Sequence, residues 1–220
     1  MTLLAVTGMQ REAKLLRGRC DVAIAGSNNA TLGAKIEAAV NRGARAILSF
    51  GICGALSPEL ATGRVVVGTD VVAQAERWHA DEAWSNALAS WCGAESGILA
   101  GSDSVLLTEE SKGALLRQTG AVAADMESHL VARVASERGL PFAVLRAVSD
   151  AAHHTLPPAA AFALNKEGKV DYSAVMLSLL DEPSQFRALM RTARDTNTAM
   201  KALLRCLERL GPGLGCPYLV

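Results

Sequence analysis

Through the first 150 residues, short aliphatic and β-branched runs alternate with Ala-rich stretches of helical spacing. Residues 3–7, 22–25, 46–50, 64–72, 98–100, 121–124 and 142–148 read as strands. Most are unbroken apolar runs, the pattern of strands buried on both faces. Between them, residues 9–16 read as a helix. The turn Gly26-Ser27-Asn28-Asn29 opens a second helix that reaches about Asn41, in which Leu32, Ile36 and Val40 share a face. Trp84, Leu88 and Trp91 mark a third helix. A fourth covers 126–138, stopped by Gly139 with Pro141 beyond it. This alternation predicts an α/β fold in three layers, a central mixed or mostly parallel sheet flanked by helices.

After Pro157-Pro158 the pattern turns all-helical, over 159–164, 172–180 and a long helix over 183–210. That last helix places Phe186, Leu189, Met190, Ala193, Thr196, Ala199, Leu203 and Leu207 near one face. Residues 211–220 are rich in breakers and read as a flexible tail or one draped over the surface. No repeat and no long linker divides the chain. The expectation is a single domain over 1–220, with 157–210 as a helical extension on the same sheet.

Composition narrows the classes. Lys+Arg and Asp+Glu both number 22, so the chain has no net charge to attract nucleic acid. Half of the residues are hydrophobic, which supplies a core and excludes disorder as the main state. Aromatics are only 4%, so that core must be Ala, Val, Leu and Ile. No window reaches the roughly 18 unbroken apolar residues of a membrane span. The first residues lack a basic leader and read as a strand. The five cysteines are widely spaced and fit no zinc pattern, as expected of reduced thiols in the cytoplasm. His153-His154 has no third ligand nearby in sequence, so no metal is expected.

In an α/β sheet, sites form at the carboxyl ends of strands. Four segments bring polar residues there. Gly8-Met9-Gln10-Arg11-Glu12 follows the first strand, and Glu12 suits either a first-turn acid or a site carboxylate. Gly51-Ile52-Cys53-Gly54 follows the third strand, where glycines permit a tight turn or close approach of a ligand. Asp125-Met126-Glu127 sits where a strand meets a helix. Its acids suit a helix cap, or a carboxylate aimed at sugar hydroxyls with Met126 against the sugar face. Ser149-Asp150 ends the last strand, and Asp150 suits either a turn cap or a proton donor.

Together these segments resemble the superfamily of purine nucleoside phosphorylases and methylthioadenosine/S-adenosylhomocysteine nucleosidases. The resemblance rests on Glu12 after the first strand, on Phe50-Gly51-Ile52-Cys53-Gly54-Ala55-Leu56 with Gly63-Arg64-Val65-Val66-Val67, on Asp125-Met126-Glu127, and on Arg146-Ala147-Val148-Ser149-Asp150. It covers residues 1–155 in order. The tail, with Leu156-Pro157-Pro158 and Glu167-Gly168-Lys169, is similar to the hopanoid-associated phosphorylase branch.

The resemblance implies cleavage of the purine N-ribosidic bond of an adenosine-type nucleoside, adenosylhopane in that branch. Asp150 would then protonate or hydrogen-bond N7 of the departing purine, steadied by Ser149. Glu127 would hold the ribose hydroxyls, Met126 would pack on the sugar and Asp125 would support them. Val105 aligns with the base-stacking position, and Gly51 and Gly54 with the substrate wall. Gly8, Arg11 and Gly51 would border the phosphate or water pocket. No cofactor is implied, only phosphate as co-substrate. The family's usual Ser or Thr is replaced by Ile52, and no Arg stands near Ser49 to hold phosphate. Glu12 resembles the water-activating Glu of the nucleosidases. The branch resemblance favours phosphorolysis, with hydrolysis and a non-catalytic nucleoside-binding protein as alternatives. Relatives imply a homo-oligomer. A lipid-linked substrate would need an apolar path, for which Phe186, Leu189, Met190 and Leu203 are candidates, and peripheral membrane contact would suit it.

Overall fold

A computed structural model describes residues 2–26, 31–162 and 164–218. Eight strands form one sheet: β1 (Thr2–Thr7), β2 (Asp21–Ile24), β3 (Ala44–Ala55), β4 (Val65–Ala73), β5 (Glu76–His79), β6 (Glu95–Gly101), β7 (Ala123–Asp125) and β8 (Phe142–Asp150). β1 runs parallel to both β2 and β3, and β8 runs parallel to β3. β8 also pairs antiparallel with β4, β4 parallel with β6, β6 parallel with β7, and β7 antiparallel with β3. These pairings close β3, β8, β4, β6 and β7 into a ring, with β1 and β2 continuing from β3 and β5 hanging from β4.

The helices cover both faces, as the hydrophobic pattern predicts. α2 (Leu32–Asn41) and α5 (Ser128–Arg138) bury Leu32, Ile36, Val131 and Ala135 on one side. α1 (Gln10–Leu15), α3 (Glu82–Cys92) and α7 (Phe186–Leu210) cover the other, where Trp84, Leu88, Leu203 and Leu207 are buried. Aromatics contribute few of these contacts. All nine residues of β8 are buried, which is why it is apolar apart from Arg146, Ser149 and Asp150.

Some elements differ from the pattern. β3 does not stop at Phe50 but runs through the glycines to Ala55, because Gly51 to Cys53 pair with Arg146 to Val148 of β8 and, after a register shift past Ser149, Gly54 pairs with Asp150. β5 (Glu76–His79) and α4 (Glu109–Thr119) are additional. β5 has three exposed residues of four, so it carries no apolar alternation. In α4 only Lys112 is buried, although Thr108 caps its start and Gly120 its end. Residues 158–162 form a short 3-10 turn. Ser27 to Asn29 of the expected turn lie outside the described residues.

The tail splits into two regimes. From Ala199 onward α7 packs on the sheet, and Leu214 and Cys216 beyond it are buried too. The Trp84 indole Nε1 donates to the Leu214 carbonyl at 2.9 Å. Before Ala199 the shared apolar face is only partly used: Phe186 is 57% exposed and Met190 43%. α6 (Tyr172–Asp181) has no buried residue, leaving Tyr172, Met176, Leu177 and Leu180 exposed. Among the described residues no helix is long and apolar enough to cross a membrane.

Candidate active site

The parallel register of β1, β3 and β8 brings their carboxyl ends side by side. Glu12 stands one turn into α1, directly after β1. Its Oε2 accepts from the Met9 amide and its Oε1 from the Ile52 amide, each at 2.8 Å. It is therefore a first-turn acid whose carboxylate is turned inward rather than toward solvent. Asp125 ends β7, and Glu127 immediately precedes α5. Asp150 ends β8, opposite Gly54 of β3.

Arg146 on β8 holds the acidic residues together. Its guanidinium is fully buried, with Nη2 donating to Ser49 Oγ at 2.6 Å and to Asp125 Oδ1 at 3.1 Å, so, contrary to expectation, an arginine does stand beside Ser49, one remote in sequence. Nη1 lies 3.3 Å from Glu127 Oε2. Burial works against this cation, yet Asp125, Glu127 and Glu12 outweigh it and hold its pKa above the ordinary arginine value. The sequence pattern shows Arg146 only as part of a motif; its role as hub comes from the register.

One guanidinium serves three buried carboxyl groups, so they cannot all be comfortably ionised. Burial pushes Glu127 up to about 7; Arg146 opposes this, while Asp125 and Glu12 reinforce it. Burial also raises Glu12, against Arg146 and the amides of Ile52 and Met9. Such a site favours a positive charge arriving or developing in it.

Asp125 is otherwise spent on structure. Its Oδ1 also accepts from the amides of Glu127 and Ser128, and its Oδ2 from Ser128 Oγ at 2.6 Å. It caps α5 and braces Arg146. Glu127 makes fewer contacts and retains capacity for a ligand.

The glycines of the motifs make room for carboxylates. A Cβ at Gly8 would lie 2.8 Å from Glu127 Oε1, one at Gly51 2.4 Å from Glu12 Oε1, and one at Gly54 3.0 Å from Asp150 Oδ2. Each of the three glycines thus faces one acid. Asp150 receives Ser149 Oγ on Oδ1 at 2.7 Å and Lys112 Nζ on Oδ2 at 2.5 Å. Lys112 was not legible beforehand, because a lysine among Glu109, Glu110 and Ser111 reads as a solvated charge.

Other expected residues sit further out. Arg11 is exposed and donates to Asn197 Oδ1 of α7 at 2.7 Å, tying α1 to α7. Met126 is half-buried between the two acids. Val105 is half-buried in the loop between β6 and α4, whose Leu107 carbonyl accepts from the Leu156 amide. The loop before α6 closes on the β1–α1 junction, where the Gln10 amide donates to the Gly168 carbonyl at 2.8 Å. His153 and His154 stack edge to face, and His154 Nδ1 lies 3.7 Å from Asp195 Oδ2.

Buried acids gathered at the carboxyl ends of the strands mark the ligand site of an α/β sheet. The chain belongs to the phosphorylase superfamily, whose family model matches residues 4–181. This places it in a superfamily of enzymes that cleave N-glycosidic bonds. No curated protein matches it significantly in sequence. Solved structures share the fold at low identity. Futalosine hydrolase of Helicobacter pylori is 17% identical, with 94% of this chain and 97% of that chain covered and a TM-score of 0.66. The 5′-methylthioadenosine/S-adenosylhomocysteine nucleosidase of Neisseria meningitidis, solved with methylthio-immucillin-A, is 18% identical, covering 93% and 96%, with a TM-score of 0.67. The S-adenosylhomocysteine nucleosidase of Streptococcus pyogenes, solved with 5-methylthiotubericidin, is 17% identical, covering 96% and 97%, also at 0.67.

Proposed function

We propose that the protein hydrolyses the N-ribosidic bond of an adenosine-type nucleoside. The observation that carries the choice of water over phosphate is the environment of Glu12. The Met9 and Ile52 amides, which an incoming phosphate would need, both donate to that carboxylate. Arg11 is engaged with Asn197, and Arg146 is shared among acids. A dianion entering here would meet Glu12 and Glu127, with Arg11 and the Arg146 Nη atoms already engaged, whereas water needs only a base. Burial raises Glu12 above the ordinary carboxylate value, which makes its carboxylate a stronger base toward water.

In this reading Glu127 holds the ribose hydroxyls and faces the positive charge that grows on the sugar as the bond breaks. Asp150 gives a proton to N7, Met126 lies against the sugar and Val105 against the base. The 5′ substituent is apolar, a hopane group on the branch resemblance, which makes the substrate adenosylhopane. The exposed apolar residues of α6, next along the chain from the Gly168 contact with Gln10, support this.

The test is adenine release from adenosine and from 5′-alkyl adenosines across a phosphate titration, with analysis of the sugar product. Free ribose at a rate indifferent to phosphate, together with an inactive Glu12→Gln variant, supports hydrolysis. Ribose 1-phosphate, formed in proportion to phosphate, establishes phosphorolysis instead. Nucleoside binding without release points to a carrier or sensor.

A further inference from the structure

Lys112 is the only buried residue of α4, and its side chain is 2% exposed. An ammonium has three donors. Here Nζ reaches three acceptors: Asp150 Oδ2 at 2.5 Å, the Ala151 carbonyl at 3.1 Å and the His154 carbonyl at 3.0 Å. Burying a lysine is costly unless it is paired, and here every donor of the ammonium is spent on Asp150 and the turn after it. The two carbonyls follow Asp150 in the chain, so Lys112 grips the acid and the turn that leaves it. Ser149 Oγ holds the other carboxyl oxygen.

We propose that Lys112 is the positioning residue of Asp150 and the group that resupplies its proton. The inference rests on Asp150 acting as the acid in the function proposed above. One transferable proton lies between Nζ and Oδ2, whichever atom carries it. As the C1′–N9 bond breaks, its electron pair passes to the purine. An O–H bond of Asp150 then breaks as N7–H forms, and Lys112 supplies the proton that Asp150 passes on. The pair ends as amine and carboxylate. The proton of the attacking water goes to Glu12, which releases it to solvent, and the pair regains one proton from solvent after the base departs.

A leaving group that needs no proton separates this role from a merely structural one. The experiment compares adenosine with p-nitrophenyl β-D-riboside in wild type, Lys112→Met, Lys112→Gln and Asp150→Asn, with thermal melting of each. With adenosine, both Lys112 variants are expected to lose roughly 10²–10⁴-fold in kcat with KM little changed. With the nitrophenyl riboside they stay within about threefold of wild type, and Asp150→Asn shows the same split. Equal losses on both substrates, or none on either, overturn the proposal for Lys112 alone. So does failure of both Lys112 variants to fold, since the lysine is then structural. A wild-type protein that cleaves neither substrate overturns the underlying reading and this inference with it.

Discussion

An alanine at position 8 would bring its Cβ 2.8 Å from Glu127 Oε1. Glu127 must then shift, while the strand itself keeps its pairing. Gly8→Ala is therefore expected to lower kcat/KM for a ribonucleoside by one to two orders of magnitude, about 1–3 kcal/mol. Preference for ribose over 2′-deoxyribose should narrow in the same measurement. An unchanged preference would remove Glu127 from the sugar hydroxyls. Glu127 also sets a pH dependence. Its pKa rises from 4.5 to about 7 on folding, so the folded chain binds this proton more tightly than the unfolded one. Its contribution to stability is then full below pH 4.5 and is lost as pH rises through 7. Urea titrations of the empty protein should show that decline, and Glu127→Gln should flatten it. A variant that declines just as steeply would assign the proton elsewhere. At this scale the sequence was informative about which residues matter and silent about how they pair. Glycines and acids stand in the same motifs, but Gly8 meets Glu127 from a segment more than a hundred residues away. Only the strand register brings them together. Lys112 gave no signal, because a buried charge has the same spelling as an exposed one.

Among the elements, the helices of the tail show how one apolar pattern serves two environments. Leu203 of α7 is wholly buried, whereas Leu180 of α6 is 72% exposed. Leu203→Ala should cost about 2–5 kcal/mol in chemical denaturation. Leu180→Ser should stay within about 0.5 kcal/mol of wild type, since it leaves no cavity. A large loss at Leu180 would mean that α6 is covered in solution. Helical spacing identifies α7 correctly but not where along it burial begins. That boundary depends on where the sheet surface ends beneath the helix. The apolar strands were legible because both faces of the sheet are covered. β5 was not, because it hangs at the edge with polar residues on both sides.

For the molecule as a whole, β3 is what gathers the acids. Glu12 follows β1, Glu127 follows β7 and Asp150 ends β8, and all three strands pair with β3. The placement of β8 has a kinetic consequence. It is the last strand of the chain, yet it inserts between β3 and β4 and receives the packing of α7. Its contacts with β3 join positions about a hundred residues apart, and loops of that length close slowly. During synthesis β3 and β4 must wait with open edges until residue 150 has left the ribosome, and such edges invite pairing with other chains. Refolding from denaturant should accordingly be slow and lose yield as protein concentration rises, in contrast to a chain whose early strands complete their own sheet.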